Sequence, residues 1–146
     1  MLICNNVFHL EEFVSPATFM KYGASAVRFL RPELVTACER VKEFYKLPVA
    51  INTWMWNGQF KYSGYRESFC TEGSVESGHR RGVCADLKIK GITEAQFIED
   101  AKVNYKTWGI TCIETGTAGW VHISVEWFIS NNLMAFDIVE NKLIEL

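Results

Sequence analysis

Three side chains in the second half of the chain have the types and spacing of a metal site: His79, Asp86 and His122. Histidine is scarce, with three in the whole chain, and two of them stand close to an acid in segments with strand character. Gly78 and Gly82 flank His79 and let the backbone turn back. The loop histidine and the carboxylate of the next strand can therefore converge on one cation.

Two imidazoles and one carboxylate are typical ligands of a divalent metal of borderline softness, zinc first. Three protein ligands leave a fourth coordination position open for water, which indicates catalysis rather than a purely structural site. A histidine beside a strand is also common as an ordinary hydrogen-bonded residue. The spacing alone therefore leaves both interpretations open.

The elements that must position these residues follow from the apolar pattern. Residues 83–89 alternate and predict a strand that carries Asp86, ended by Gly91. Residues 110–114 and 120–127, joined by a glycine-containing turn, predict a β-hairpin. On its second strand the period of two places His122 on one face with Trp120, Ser124 and Glu126.

Helices are expected at three places. Ser15 followed by Pro16 predicts the start of a short helix, and Thr93 caps a later one. Pro32 opens the clearest helix, because apolar residues then recur at steps of three and four. These apolar positions are Leu34, Val35, Cys38, Val41, Phe44 and Tyr45.

The remaining segments complete an α+β domain, for which we expect a small, mainly antiparallel sheet with packed helices. Residues 49–54 have the β-branched and aromatic bias of a buried strand, and Asn57-Gly58 then turns the chain. Residues 57–78 predict a surface loop of the kind that carries function. The tail from Asn131 is compatible with a strand or a short helix.

Length and composition are those of a folded, soluble protein. The 146 residues are 49% hydrophobic, and we expect a single domain over residues 1–146. No window approaches the roughly 20 unbroken apolar residues that cross a bilayer. The N-terminus has no basic stretch before its apolar residues, so we expect no signal peptide and synthesis in the cytoplasm.

Charge argues against a nucleic-acid-binding protein, and cysteine usage argues against a disulfide-stabilised one. The net charge is −2, and the basic residues are dispersed apart from the pair Arg80 and Arg81. Nucleic-acid binding depends on clustered lysine and arginine, so no nucleic-acid partner is expected. The five cysteines are an odd number without CxxC spacing, which favours free thiols over a disulfide framework.

Several motifs follow one another along residues 8–127. Residues 8–13 have the pattern F-x-l-x-E-F, residues 30–34 the pattern l-x-P-x-L, and residues 63–66 read SGYR. Residues 77–86 are similar to S-x-H-x-x-G-x-A-x-D, and residues 119–123 fit G-x-x-H-[IV]. In this order they resemble the VanY-like zinc D-Ala-D-Ala carboxypeptidases of the lysostaphin and hedgehog superfamily, notably the small form in phage endolysins and cell-wall hydrolases.

The resemblance implies a zinc ion bound by His79, Asp86 and His122 in a domain with the fold of the hedgehog and D-Ala-D-Ala peptidases. It also implies that Arg66 binds the carboxylate of the substrate or helps to polarise its carbonyl. A guanidinium suits either role, because its planar fork matches a carboxylate bidentately.

The chain departs from the family pattern at the general base. Gly119, Trp120 and Ser124 stand where the family has an acid or a histidine. Glu114, across the predicted turn, is our candidate for this role, and Glu126 is the alternative. The segment 54–62 is also longer than in the family, which predicts a different substrate preference. Aromatic residues that could line a cleft or fill the core are Trp54, Trp56, Tyr62, Tyr65 and Trp120.

The function expected from this resemblance is zinc-dependent hydrolysis of a peptide bond in the stem peptides of bacterial peptidoglycan, as a carboxypeptidase or an endopeptidase. Peptidoglycan would be the partner, with no nucleic acid or membrane. The small phage form suggests a phage-encoded protein, released at lysis or carried in the virion. Because the usual base is missing, the alternative is a non-catalytic binding or virion structural protein with the peptidase fold.

Overall fold

The computed structural model describes residues 2–3, 7–128 and 130–146 of the chain. Three α-helices and eight β-strands occur in these ranges, so the expected α+β class is confirmed. The strands are β1 (Leu2–Ile3), β2 (Phe8–His9), β3 (Val49–Ala50), β4 (Cys84–Ile89), β5 (Cys112–Thr115), β6 (Val121–Ser124), β7 (Met134–Asp137) and β8 (Lys142–Glu145).

Two helices begin at the predicted caps. Helix α1 (Pro16–Tyr22) follows Ser15, whose hydroxyl accepts the backbone N–H of Thr18. Helix α3 (Glu94–Trp108) follows Thr93, which caps it in the same way. In both cases a side-chain oxygen satisfies one of the backbone donors that a helix N-terminus leaves without a partner.

Helix α2 (Pro32–Tyr45) also begins at the predicted proline. Its predicted apolar stripe is buried at Leu34, Val35, Cys38 and Val41. Phe44 differs, since 46% of its surface is exposed. It lies at the last turn, where it contacts Trp108 edge to face with ring centroids 5.1 Å apart.

Six strands form one sheet in the order β3-β4-β6-β5-β7-β8, and β1 pairs with β2 separately. The predicted hairpin is present as β5 and β6, which pair antiparallel. The tail forms the antiparallel hairpin of β7 and β8, which decides between strand and helix for this segment. Because β7 pairs parallel with β5, the sheet is mixed, and its other pairings are antiparallel.

The strand expected over residues 49–54 is shorter, since β3 ends at Ala50. Beyond it the Asn52 side-chain amide donates to the Val14 carbonyl at 3.0 Å. Its backbone N–H donates to the Glu12 carbonyl at 3.0 Å, so the Asn52 backbone bonds to the N-terminal segment instead of continuing the ladder with β4. Trp54–Trp56 then form a single turn of 3-10 helix.

One face of the six-stranded sheet packs into the core, and the other face carries polar side chains. Ala85 and Leu87 on β4, Ile123 on β6 and Ile113 on β5 belong to the buried core that also includes α2 and α3. Side chains alternate along a strand, so the residues between them lie on the opposite face. That opposite face carries the candidate site.

Candidate metal centre

The strand register places two of the predicted ligands side by side. Asp86 on β4 is the Cα partner of His122 on β6. On the other side of β6, Ile113 pairs with Ile123, so Glu114 lies beside His122. Asp86, His122 and Glu114 thus form a row across three neighbouring strands. The row continues to Phe136 on β7, the partner of Glu114.

The third ligand reaches the row from the loop before β4. His79 lies in a 3-10 helix (Gly78–Arg81) that begins at Ser77, whose hydroxyl accepts the His79 backbone N–H. The Nδ1 atom of His79 is 2.8 Å from the carbonyl oxygen of Gly64. A proton on Nδ1 donated to this carbonyl leaves Nε2 free to bind a metal, the usual outer-shell arrangement of a metal-binding histidine.

The carbonyl that orients His79 belongs to Gly64 of the SGYR segment, and its position requires a glycine there. A Cβ atom at position 64 would lie 2.3 Å from the carbonyl oxygen of Phe13. The same carbonyl accepts the backbone N–H of Tyr65 at 2.7 Å. Only glycine allows this close approach, so Gly64 fixes the position of the acceptor for His79.

The structure brings His79, Asp86 and His122 together as a group that could hold a metal ion, with ligand atoms all within 4.8 Å of one another. Asp86 Oδ1 is 2.8 Å from His122 Nδ1 and 3.4 Å from His79 Nε2. Ligands about 2.0 to 2.1 Å from a tetrahedral zinc ion are about 3.3 Å apart. The 3.4 Å separation of Asp86 and His79 therefore fits a zinc ion as it stands. The 2.8 Å separation of Asp86 and His122 would fit after a small outward shift of His122.

The three side chains shift one another's pKa values. Burial would raise the pKa of Asp86, but the neighbouring histidines hold it well below its usual range. Burial lowers the pKa of His79. For His122 burial acts in the same direction, but the hydrogen bond with Asp86 prevails and raises its pKa to about 10. Asp86 therefore faces two positive charges, on His122 and on the Arg66 guanidinium.

Arg66, the arginine of the SGYR motif, lies beside Asp86. Its Nη2 is 3.4 Å from Asp86 Oδ2, and its Nε donates to the Tyr62 carbonyl at 2.7 Å. Arg66 also lines the cleft above the metal ligands. Its guanidinium is thus held at one edge and directed into the cleft at the other.

The two candidate bases have different surroundings. Glu114 Oε2 is 3.7 Å from His122 Nδ1, and 31% of the Glu114 side chain is exposed. Glu126 forms an ion pair with Arg81 at 2.5 Å, although it also lines the cleft. Of these two acids, Glu114 is the one in contact with a predicted metal ligand.

An open cleft of about 640 Å³ lies over the row of site residues. Trp120 lines it together with His79, Asp86 and His122. Residues of the predicted functional loop, including Gly73 and Ser74, also contribute to its wall. The other predicted aromatic residues divide between partly buried contacts and the surface: Tyr65 stacks on Phe29, Trp54 packs against Phe19, and Trp56 is 55% exposed.

Lys88 is a site residue that the sequence analysis missed. Its ammonium group donates to the Ser63 hydroxyl, to the Ile51 carbonyl at 3.0 Å and to the Asp86 carbonyl at 3.2 Å. Burial lowers its pKa to about 8. The available signal was the alternation of β4, which places Lys88 and Asp86 on the same face.

Two of the cysteines, Cys84 and Cys112, line the cleft, and Cys84 is a hydrogen-bond partner of His122. Cys38, Cys70, Cys84 and Cys112 are free thiols, and Cys4 lies outside the described residues. Among the helices of the described residues, none has the length and apolar character that crossing a membrane requires.

No family model, curated protein or solved structure matches the chain. The resemblance to the VanY-like peptidases therefore stays a prediction from the sequence motifs.

Proposed function

We propose that the protein is a zinc-dependent peptidase that hydrolyses stem peptides of bacterial peptidoglycan. The observation that carries this proposal is the convergence of His79 Nε2, Asp86 Oδ1 and His122 Nδ1 at the floor of an open cleft. Arg66 and Glu114 stand on either side of the three ligand atoms. A purely structural zinc site is usually closed by four protein ligands, whereas three ligands facing a cleft suit catalysis.

The fold belongs to the same proposal. We infer the zinc-site fold of the hedgehog and D-Ala-D-Ala peptidases, because its characteristic motifs fall on the elements that build the centre. The SGYR segment provides the Gly64 carbonyl for His79 and the side chain of Arg66. The last two motifs supply the three ligands.

In the proposed reaction each residue has one task. A zinc ion held by the three ligands supplies a Lewis acid and an activated water. Arg66 binds the substrate carboxylate or the carbonyl oxygen that gains negative charge. Glu114 accepts a proton from the attacking water and donates it to the amide nitrogen as the C–N bond breaks, which leaves a carboxylate and a free amine.

Glu114 is favoured over Glu126 on geometry. Glu114 is 3.7 Å from the ring of His122 and partly exposed to the cleft, whereas Glu126 is engaged by Arg81. A carboxylate that must accept and return a proton needs access to the water and freedom from a fixed cation.

The resemblance also extends the proposal to a phage-encoded enzyme that reaches the wall at lysis or within the virion.

The metal is tested by elemental analysis of protein purified without added zinc, by inductively coupled plasma mass spectrometry. We expect about one zinc per chain, and its loss in the His79→Ala, His122→Ala double variant. The matched control is His9→Ala, which removes the third histidine, on β2 away from the cleft. Equal metal content in all three proteins would refute the site.

The reaction is tested on purified peptidoglycan, with the released peptides and D-alanine identified by mass spectrometry. Soluble fragments or free D-alanine that require zinc would support the peptidase. Bound zinc without any hydrolysis, and without an effect of Glu114→Gln, would favour the alternative of a non-catalytic binding or virion structural protein.

A further inference from the structure

Arg80, immediately after the metal ligand His79, has an unusual set of partners. Its guanidinium donates to four backbone carbonyls of one loop. The acceptors are Glu67 at 3.0 Å, Ser68 at 2.7 Å, Cys70 at 2.6 Å and Ser74 at 3.2 Å. A guanidinium has five N–H donors, so nearly all the donor capacity of Arg80 is directed at this loop, residues 67–77.

The 67–77 loop has little hydrophobic burial to hold it. Its two large apolar side chains, Phe69 and Val75, are 69% and 76% exposed. At its start the Glu67 carboxylate accepts hydrogen bonds from the hydroxyls of Ser15 and Thr18. Between this anchor and Ser77, Arg80 holds four carbonyls of the loop, whereas Arg81 holds one, that of Glu76 at 2.9 Å.

The loop contacts the arginine proposed to bind substrate. Gly73 has a φ of +69°, and a Cβ atom there would lie 2.4 Å from Arg66 Nη1. The loop backbone therefore packs directly against the guanidinium. On its other side Arg66 Nε donates to the Tyr62 carbonyl. Arg66 is thus held between a fixed carbonyl and a wall whose position depends on Arg80.

We propose that Arg80 is a positioning residue: by holding the 67–77 loop, it fixes the wall that directs the Arg66 guanidinium into the cleft. The restraint on Arg66 stands on the contacts above, and its consequence for substrate rests on the proposed function. Lysine cannot replace Arg80, because a single ammonium group cannot reach four carbonyls in this arrangement.

Arg80→Lys tests the restraint without any substrate. The Nε–H signal of Arg66 in a ¹H–¹⁵N spectrum reports directly on its hydrogen bond with Tyr62. We expect this signal to shift or broaden in Arg80→Lys, and the amides of the 67–77 loop to exchange at least about tenfold faster. The matched control is Arg40→Lys, since Arg40 donates to one carbonyl, that of Thr107, on another part of the molecule. An unchanged Arg66 signal, or the same change in both variants, would overturn the proposal.

A second measurement separates positioning from general damage to the site. The probe is a synthetic peptide that ends in D-alanyl-D-alanine. We expect Arg80→Lys to weaken its binding about tenfold while zinc affinity changes less than about threefold. In Arg66→Ala, the added Arg80→Lys change should cost nothing further, because both act through one guanidinium.

Additive losses, or a loss of zinc as large as the loss of peptide binding, would overturn the positioning role. Failure of the unmodified protein to bind the peptide would count against the proposed function instead. In that case the Arg66 signal alone decides whether Arg80 restrains Arg66.

Discussion

The ion pair between Asp86 and His122 should stabilise the metal-free fold, and Asp86→Asn tests this. Both side chains are buried, and their nearest atoms are 2.8 Å apart. The substitution keeps the shape of Asp86 and removes its charge, which leaves the His122 cation without its nearest anion. Breaking a buried pair in this way costs about 3 kcal/mol of unfolding free energy.

The pH dependence has a definite sign. Because the pKa of His122 rises from 6.5 to about 10 on folding, the contribution of the pair is complete below pH 6.5 and is lost as the pH rises toward 10. The pKa of Asp86 is lowered, so the contribution is also lost as the pH falls below about 4. From pH 7 to 8 the folding equilibrium constant should fall about tenfold, about 1 kcal/mol. Above pH 8 the lowered pKa of Lys88 acts in the opposite direction.

The assay is urea unfolding in excess chelator at pH 6.5 and pH 8. At pH 6.5 Asp86→Asn should be less stable than the unmodified protein by about 3 kcal/mol, and at pH 8 this difference should be smaller by about 1.5 kcal/mol. Asp137→Asn is the matched control, because Asp137 is a partly exposed acid at the end of β7 whose carboxylate accepts two backbone N–H groups. A cost below about 1 kcal/mol at pH 6.5, or the same pH dependence in both variants, would refute the reasoning.

Two further substitutions test the base and the loop before β4. Glu114→Gln should abolish hydrolysis of peptidoglycan and keep the zinc, whereas Glu126→Gln should retain most activity; the reverse order in a digestion assay would move the role to Glu126. Gly82→Ala places a Cβ 1.9 Å from the Phe29 carbonyl oxygen at a φ of +67°, so it should cost more than about 2 kcal/mol in thermal unfolding. Gly91→Ala, with a similar φ and nothing within 4 Å, should cost about 1 kcal/mol, and equal effects would show that crowding is not the cause.

The sequence predicted the helix starts correctly, because caps and prolines act on neighbouring residues. The caps Ser15 and Thr93 and the proline at Pro32 act within one turn, and the structure has helices at all three. The strand over residues 49–54 is shorter because the Asn52 backbone bonds to Glu12 and its side chain to Val14, a residue 38 positions away. The parallel pairing of β7 with β5 likewise depends on a connection that no local pattern specifies.

The candidate site also has residues that the sequence predicted and residues whose contacts only the fold reveals. His79, Asp86 and His122 could be singled out because their residue types are rare and their spacing repeats a known pattern, and the structure brings them together. The alternation of β4 places Lys88 on the face of Asp86, but no local pattern indicates the distant partners of Lys88 or Arg80. Lys88 bonds to Ile51 and Arg80 to the 67–77 loop only after the chain has folded. Lysine and arginine are common surface residues, so their types alone carried no signal.

The metal-free centre and a metal-loaded centre make opposite demands on His122. In the metal-free protein its Nδ1 must carry a proton to bond with Asp86 Oδ1 at 2.8 Å. To bind a metal the same Nδ1 must lose this proton and separate from Asp86, because ligands of one tetrahedral zinc ion lie about 3.3 Å apart. His79 faces no such conflict, since the Gly64 carbonyl holds its other nitrogen and leaves Nε2 free. The hydrogen bond between Asp86 and His122 must therefore open before a metal binds at Nδ1, so His122 is the candidate ligand at which the two interactions compete.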